Sequence, residues 1–508
     1  MAKAKAQGST ALWDFVEIEF KGPSARNPFA EVKFGATFKL GAREVKVPGF
    51  YDGNGVYKVR FMPDRTGDWT YTTYATVSAL AGKTGSVTAT DAAPGVHGPV
   101  QAVEFGFAYA DGTPYIPVGT TAYAWVHQPK EVRDRTIATL AAGPFTKIRM
   151  CVFPKHYTYN TNEPDSFVFP GTLEQGFDHS RFDPEFFALF ESELDRLLDL
   201  GIEADLILFH PYDRWGFQDL PVDVEDRYLR YVVARFASFR NVWWAMANEW
   251  DFMAKKTVQD FHRYFRIVQE EDPYAHLRSV HNGLRIYDHA LPWVTHASMQ
   301  RSDTDRCHEW RTQYGKPVVI DECCYEGNIS EGWGNISGRE LMRRQWTAVI
   351  SGGWPAAHAE TLYNDRHEFW WSKGGDLTGE SPARIAFLRR ILEEAPIHRL
   401  EVVRPKWPPC HLAAGDDYRL YYMGLERALW REIELPAGGA YHVDVIDTWG
   451  MTVTTVPGTH AGRLRIDLPG REYIAIRVRK TAYRERSNSR ISALTSARRM
   501  TLVLQQVV

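Results

Sequence analysis

Apolar and polar positions change their period twice along this chain, and the changes divide it into three. From residue 11 to about 92, short segments alternate residue by residue, as in Trp13–Phe20 and Val56–Phe61. Gly-rich turns such as Asp52–Gly53–Asn54–Gly55 separate them. A period of two broken by such turns predicts a β-sandwich over residues 1–95, and an immunoglobulin-like one fits. The Ala-, Thr- and Gly-rich run from Ala81 to Gly98 reads as the linker out of it.

From about Pro99 to Pro396, apolar strands alternate with segments of helical period. Candidate strands are Tyr115–Gly119, Lys147–Phe153, Ala204–His210, Val242–Asn248, Leu277–His281, Trp293–Met299, Pro317–Asp321 and Ala356–Glu360. The helix from Pro184 puts Phe186, Leu189, Phe190, Leu194, Leu197 and Leu198 on one stripe and ends at Gly201, a residue suited to a left-handed cap. Another buries Phe261, Phe265 and Val268 and stops before Pro273. Alternating strands and helices in this number predict an α/β fold, a (β/α)8 TIM barrel over residues 96–396. A doubly wound sheet is the alternative, but no Gly-rich dinucleotide fingerprint follows an early strand. After Pro396 strands return, as in Tyr418–Tyr422, Tyr441–Ile446 and Tyr473–Val478, and predict a second β-sandwich over 397–480. A basic, Ser-rich tail, 481–508, follows.

Two barrel strands end in carboxylates. Val242–Ala247 runs into Asn248–Glu249–Trp250, and Lys316–Ile320 into Asp321–Glu322. Carrying a carboxylate to the rim of a buried strand costs desolvation, so such a residue does chemistry or is paired. Two glutamates across one barrel mouth suit the acid and the nucleophile of retaining sugar hydrolysis. Asn248, one residue back, is placed to bond a sugar hydroxyl. Asp321, Glu322 and Glu326 compete for the nucleophile's role. Glu322 is preferred because it closes the strand, whereas Asp321 faces the other way and Glu326 lies in the loop after Tyr325.

Composition narrows the partners. At 508 residues and 44% hydrophobic the chain can bury a large core. A formal charge of −3, with both signs interspersed, offers no face to nucleic acid or to an anionic membrane. Met1–Thr10 lacks an apolar signal core and no stretch reaches transmembrane length, so a cytoplasmic protein is expected, or a secreted or periplasmic one if a signal peptide has been removed. Five Cys without framework or finger spacing agree with a reducing compartment. Aromatics at 13%, with 17 Trp, suit a carbohydrate partner, because aromatic faces stack on sugar rings. No cofactor is implied.

Asn248–Glu249 ending a fourth strand and Glu322 ending a seventh resemble the clan-A retaining glycoside hydrolases. In that clan an Arg commonly ends strand two, a His strand three and a His or Tyr strand six; the resemblance gives those places to Arg149, His210 and His296. The run Pro317–Glu322 followed by Tyr325–Glu326, and the sandwich–barrel–sandwich order, also resemble the apiosidase-like barrels of bacteria. The resemblance implies hydrolysis by double displacement. Clan members often present a Trp at strand eight. Trp354 comes early for that, so His358 and Glu360 are expected at the mouth instead.

Trp125, His156, Tyr157, Trp215, Trp250, Tyr325 and Trp354 follow strands and are candidates for stacking on sugar. A long insertion from Thr361 to Glu380, with Phe369, Trp370 and Trp371, is expected to close one end of the groove and make an exo-acting pocket. Trp125–Val126–His127 would be its neighbour and the Phe50–Tyr51 turn a further wall. Two rival functions remain. A metal-dependent barrel hydrolase would use His210, His281, His296 and Asp321, but strand one, Gly119–Tyr123, lacks the early ligand pair. A carbohydrate-binding protein without activity would have no need of both glutamates.

Overall fold

The computed structural model describes residues 8–366, 368–405 and 410–481. All but the first residue of the predicted tail lies outside the described residues. Between Ser9 and Thr90 the period-two segments form a five-stranded sheet facing a three-stranded one. Alternate apolar residues fill the space between them, Val16, Ile18 and Phe61 from one sheet and Phe38, Trp69 and Val87 from the other.

The middle segment supplies eight parallel strands: β1 (Gly119–Thr121), β2 (Lys147–Cys151), β3 (Glu203–Ile207), β4 (Val242–Ala245), β5 (Arg278–Ser279), β6 (Ala297–Gln300), β7 (Val318–Glu322) and β8 (Trp354–Pro355). Ladders run β1–β2–β3–β4–β5 and β6–β7–β8. Single parallel bridges, His281 to Ser298 and Thr120 to His358, join the two arcs at both seams. Three strands differ from expectation. Pro114–Tyr115 is not part of strand one. It pairs in an antiparallel sheet with Gly106–Tyr109 and Val100–Val103, and Phe107 and Tyr115 plug the barrel's N-terminal end against Trp243, Leu277, Val319 and Ala356. Strand six begins at Ala297 rather than Trp293, and strand eight begins at Trp354.

Of the surrounding helices, α1 (Pro184–Leu200) has the expected stripe. Asp183 caps its start by accepting from the Glu185 amide at 2.9 Å, and Gly201 ends it at φ 69°. Helix α2 (Val222–Phe236) lies beside it, and the N-terminal sandwich docks on this pair. Arg60 of the sandwich grips Glu191 of α1 with both Nη atoms, at 2.7 and 2.9 Å, and Arg235 of α2 reaches Glu191 at 2.6 Å and Asp52 at 2.7 Å. Phe50 lies 4.5 Å beneath the Arg235 guanidinium, and Tyr231 donates to the Tyr51 carbonyl. The Phe50–Tyr51 turn is therefore consumed by docking on the barrel's flank and does not wall the mouth. At the other end, strands from Glu401 to Lys480 form a six-stranded and a two-stranded sheet around Tyr421, Tyr441, Val443, Ile466 and Ile476. They pack on the barrel through Tyr422 against Trp346 and Trp449 under Arg384.

Candidate active site

Above the apolar plug the barrel interior turns ionic. Lys147 on β2, fully buried, donates to Asp205 at 2.6 Å and Asp321 at 2.8 Å. Arg149, two residues further along the same face, lies 3.6 Å from Asp205 and donates to Asn248 Oδ1 at 3.3 Å. Ser298 on β6 donates to the other oxygen of Asp321 at 2.6 Å. Asp321 thus belongs to the floor. Burial would raise its pKa, but Lys147, Arg149 and His281 hold it far below the ordinary carboxylate range.

One layer higher, six side chains close a ring. Gln300, the last residue of β6, donates to Glu249 Oε1 at 3.1 Å, and its Oε1 lies 3.0 Å from His281 Nε2. The same His281 nitrogen is 3.4 Å from Glu322 Oε2, to which the Tyr123 hydroxyl is 3.3 Å. Tyr123 shares its proton with Asn248 Oδ1 at 3.1 Å, and Asn248 Nδ2 returns to Glu249 Oε2 at 3.3 Å. Tyr212, two residues past His210, also donates to Glu249. A slip in the β6–β7 register sets Gln300 opposite Glu322. Glu249 itself sits in the left-handed region at φ 46°, a conformation that costs a non-glycine residue about 1 kcal/mol or more and is concentrated at functional sites.

The hydrogen bonds orient His281. The Ser298 hydroxyl proton is committed to Asp321, so His281 Nδ1, 3.1 Å from Ser298 Oγ, donates to it. Its Nε2 is thereby aimed at Gln300 Oε1 and Glu322 Oε2.

The two glutamates are driven apart in acidity. Burial and the charge of Glu322 raise Glu249, against the opposing pull of Tyr212, Lys155 and Gln300. Burial raises Glu322 too, but the hydrogen bond and charge of His281, the Tyr325 phenol and Arg149 outweigh it and hold Glu322 below the usual value. Two carboxyl groups separated in this way can serve as proton donor and as standing anion.

Aromatic rings gather beside these carboxylates. Trp371 is the hub, with centroids 5.5 Å from Tyr123, 5.9 Å from Tyr157 and 4.8 Å from Trp333. The insertion that carries it is zipped to the loop after β1 through Tyr123 N to Trp371 O and Ala124 N to Ser372 O. Lys155 lies among Tyr123, Tyr212 and Trp371.

Several expected sugar contacts lie elsewhere. His296 precedes β6 and sits at the barrel's lower end between Phe107 and Trp243; the position expected of it is held by Gln300. Trp354, at the start of β8, donates to the Phe105 carbonyl beside the plug. His358 points outward, bonded to Thr120 Oγ1 at 2.7 Å and packed on Phe145. Glu360 accepts the amides of Thr378 and Gly379, and Glu326 those of Glu380 and Ser381, so both hold a turn rather than a sugar. Trp125 is wholly buried in the core, and Trp250 packs on Phe261 and Tyr287 with its indole donating to the Arg285 carbonyl. His210 is buried with Nε2 on the Phe153 carbonyl at 3.2 Å and bonds neither glutamate. His156 and Trp215 pair edge to face in a side cluster, where Glu163 accepts from Trp215. Tyr157 packs against Tyr212 and Trp371 near the glutamates, and Tyr325 faces Glu322. The histidines of the metal reading are dispersed, and among the described residues no group of three or more His, Cys, Asp or Glu is arranged around a metal-sized space. A wide cleft lies at the opposite end of the barrel, between residues such as Tyr109, Arg240, Arg389 and His398, and no ring residue lines it.

Sequence reasoning missed Tyr123, Lys155, Tyr212 and Gln300, and gave His281 only to the metal reading. Tyr123 and Tyr212 carried a usable signal, being polar aromatics just past predicted strand ends.

Residues 105–359 match the model of the apiosidase-like catalytic domain. Residues 9–76 and 407–479 match two domains of unknown function, DUF5060 and DUF5605. No curated protein matches the chain. Among solved structures, one from Bacteroides vulgatus named as a candidate glycoside hydrolase is 37% identical over 94% of this chain and all of its own, with a TM-score of 0.90. A family 5 glycoside hydrolase from the same organism is 12% identical over 76% of this chain and 94% of its own, with a TM-score of 0.60, a likeness of fold. The catalytic-domain match spans Glu249, just past β4, and Glu322, the last residue of β7, and this chain belongs to the apiosidase-like family of glycoside hydrolases.

Proposed function

We propose that the protein cleaves glycosides with retention of configuration, Glu322 acting as nucleophile and Glu249 as acid and base, on a closed (β/α)8 barrel. The observation that carries this is the ring: both carboxylates belong to one hydrogen-bonded circuit, yet one is pushed up in pKa and the other held down. Glu322 attacks the anomeric carbon while Glu249 protonates the departing oxygen. Glu249, now ionised, takes a proton from the water that releases the sugar. Gln300 fits both stages. Facing an ionised Glu249 it donates through Nε2; turned over, it accepts from a protonated Glu249 and donates to a bare His281 Nε2.

The reading extends to exo action. Trp371, Trp333, Tyr157 and Tyr159 stand together at one side of the opening, which supports a pocket for a terminal sugar rather than an open groove.

The test is the anomeric configuration of the first-formed product by NMR, joined to mass mapping of a fluorosugar inactivator. Retention with label on Glu322 is expected. Inversion, or label on Asp321, overturns the assignment. Single sugars released from oligosaccharides support the pocket, whereas an early mixture of internal fragments rules it out.

A further inference from the structure

Buried cations in this protein come with acceptors. Arg60, Arg235 and Arg477 hold carboxylates, Lys147 lies between two of them, Arg149 reaches Asn248 and Asp205, and Arg278 donates to backbone carbonyls. Lys155 breaks the pattern. It follows β2, is 3% exposed, and among the described residues no acceptor lies within hydrogen-bond distance of its Nζ. Three aromatic faces surround the ammonium instead, Tyr123 at 3.6 Å, Tyr212 at 4.2 Å and Trp371 at 4.3 Å to their centroids.

An aromatic cage attracts the charge but accepts none of the three N–H bonds. The nearby glutamates do not accept them either. Glu249 is occupied by Tyr212, Gln300 and Asn248, and Glu322 by Tyr123 and His281. Both are close enough to act on Lys155 through charge, without contact. Two of the caging rings, Tyr123 and Tyr212, are the ones bonded to Glu322 and Glu249. The ammonium is therefore tied through these rings to both glutamates, beside the place where the proposed mechanism puts the sugar attacked by Glu322.

We infer that Lys155 determines specificity in that subsite and binds the carboxylate of a uronic acid, so that the substrates are glycosides of hexuronic acids. A neutral sugar's hydroxyl could accept one N–H but brings no charge to the ammonium, whose neighbouring glutamates act on it only through space and accept none of its N–H bonds. A carboxylate supplies both acceptors and opposite charge, and the cage keeps the ammonium aimed at it.

This rests on the pairing of Glu249 with Glu322, and the experiment separates the two. Wild-type enzyme and Lys155→Met are compared on nitrophenyl glucuronides, galacturonides, glucosides and galactosides of both anomers. In parallel, calorimetry measures binding of free glucuronate, galacturonate, glucose and galactose to the wild type, a readout that needs no turnover. Expected are a preference for one uronide over its neutral parent of about 100-fold or more in kcat/KM, its collapse in Lys155→Met mainly through KM, and binding of the uronate alone. A wild-type preference for neutral sugars, an equal loss on both classes in the variant, or uronates that bind no better than the neutral sugars would overturn the inference. Uronate binding together with undiminished activity in Glu322→Gln would instead sink the catalytic pairing and leave Lys155 in place.

Discussion

An ionised Glu249 accepts from Tyr212, Gln300 and Asn248, and every donor removed makes that carboxyl keep its proton to higher pH. In the proposed mechanism activity needs Glu322 ionised and Glu249 protonated, so kcat/KM is expected to rise with pH through the lowered group and fall through the raised one. Gln300→Leu is expected to move the falling limb upward and to lower kcat about 10-fold, because Glu249 also loses its positioning. His281→Ala removes a donor and a charge from Glu322, so the rising limb moves upward and kcat falls about 10- to 100-fold. pH profiles of the two variants check this, and limbs moving in the opposite assignment would exchange the roles. Of these residues only the glutamates, Asn248 and Arg149 were legible from the chain, because a charge ending an apolar run is conspicuous. Gln300 is not. An uncharged side chain closing a short strand looks like any loop residue, and a strand begun too early at Trp293 gave its place to His296, which lies at the other end of the barrel.

At the scale of elements, the loop that carries Trp371 is tied down by two carboxylates that sequence reasoning placed near the chemistry. Glu326 accepts from the Glu380 amide and from the amide and hydroxyl of Ser381, at the start of helix α3 (Ser381–Glu393). Glu360 accepts from the two amides before them, and a Cβ on Gly379 would lie 2.6 Å from each carboxylate, so a side chain there would push both carboxylates from their places. Glu326→Ala leaves buried donors without partners and is expected to cost roughly 1–3 kcal/mol. Residues 361–380 should then be cut readily by protease, with KM rising more than kcat falls; an intact loop with kcat lost to the extent seen in Glu322→Ala would return Glu326 to the chemistry. Helices were the legible elements, because a stripe of Phe and Leu with an N-terminal Asp-Pro and a terminal Gly leaves little choice. Short barrel strands were not, since the apolar run marks their middles and the pairing partners decide where they stop.

Across the whole molecule the sandwich–barrel–sandwich order followed from the two changes of period, whereas the way the first sandwich docks did not. Its key contact joins Arg60 to Glu191, 131 residues apart, and neither stands out in its own segment. Glu191 is held at about 2 because Arg235 and Arg60 outweigh its burial. A carboxylate depressed in the folded state stabilises it fully above its unfolded value, here 4.5, and that contribution disappears as pH falls from there toward about 2. Glu191→Ala takes one carboxylate from two buried guanidinium groups that keep Glu17 and Asp52, so docking should weaken by about 1–3 kcal/mol at neutral pH. Melting curves followed by tryptophan fluorescence between pH 2 and 7 test both statements together. The wild type should lose stability steeply through the acid window, while Glu191→Ala should start lower and be flatter across it. Parallel curves for the two proteins would show that the acid sensitivity arises elsewhere, for instance from Asp321 in the barrel floor, and that the docking cluster contributes little to it.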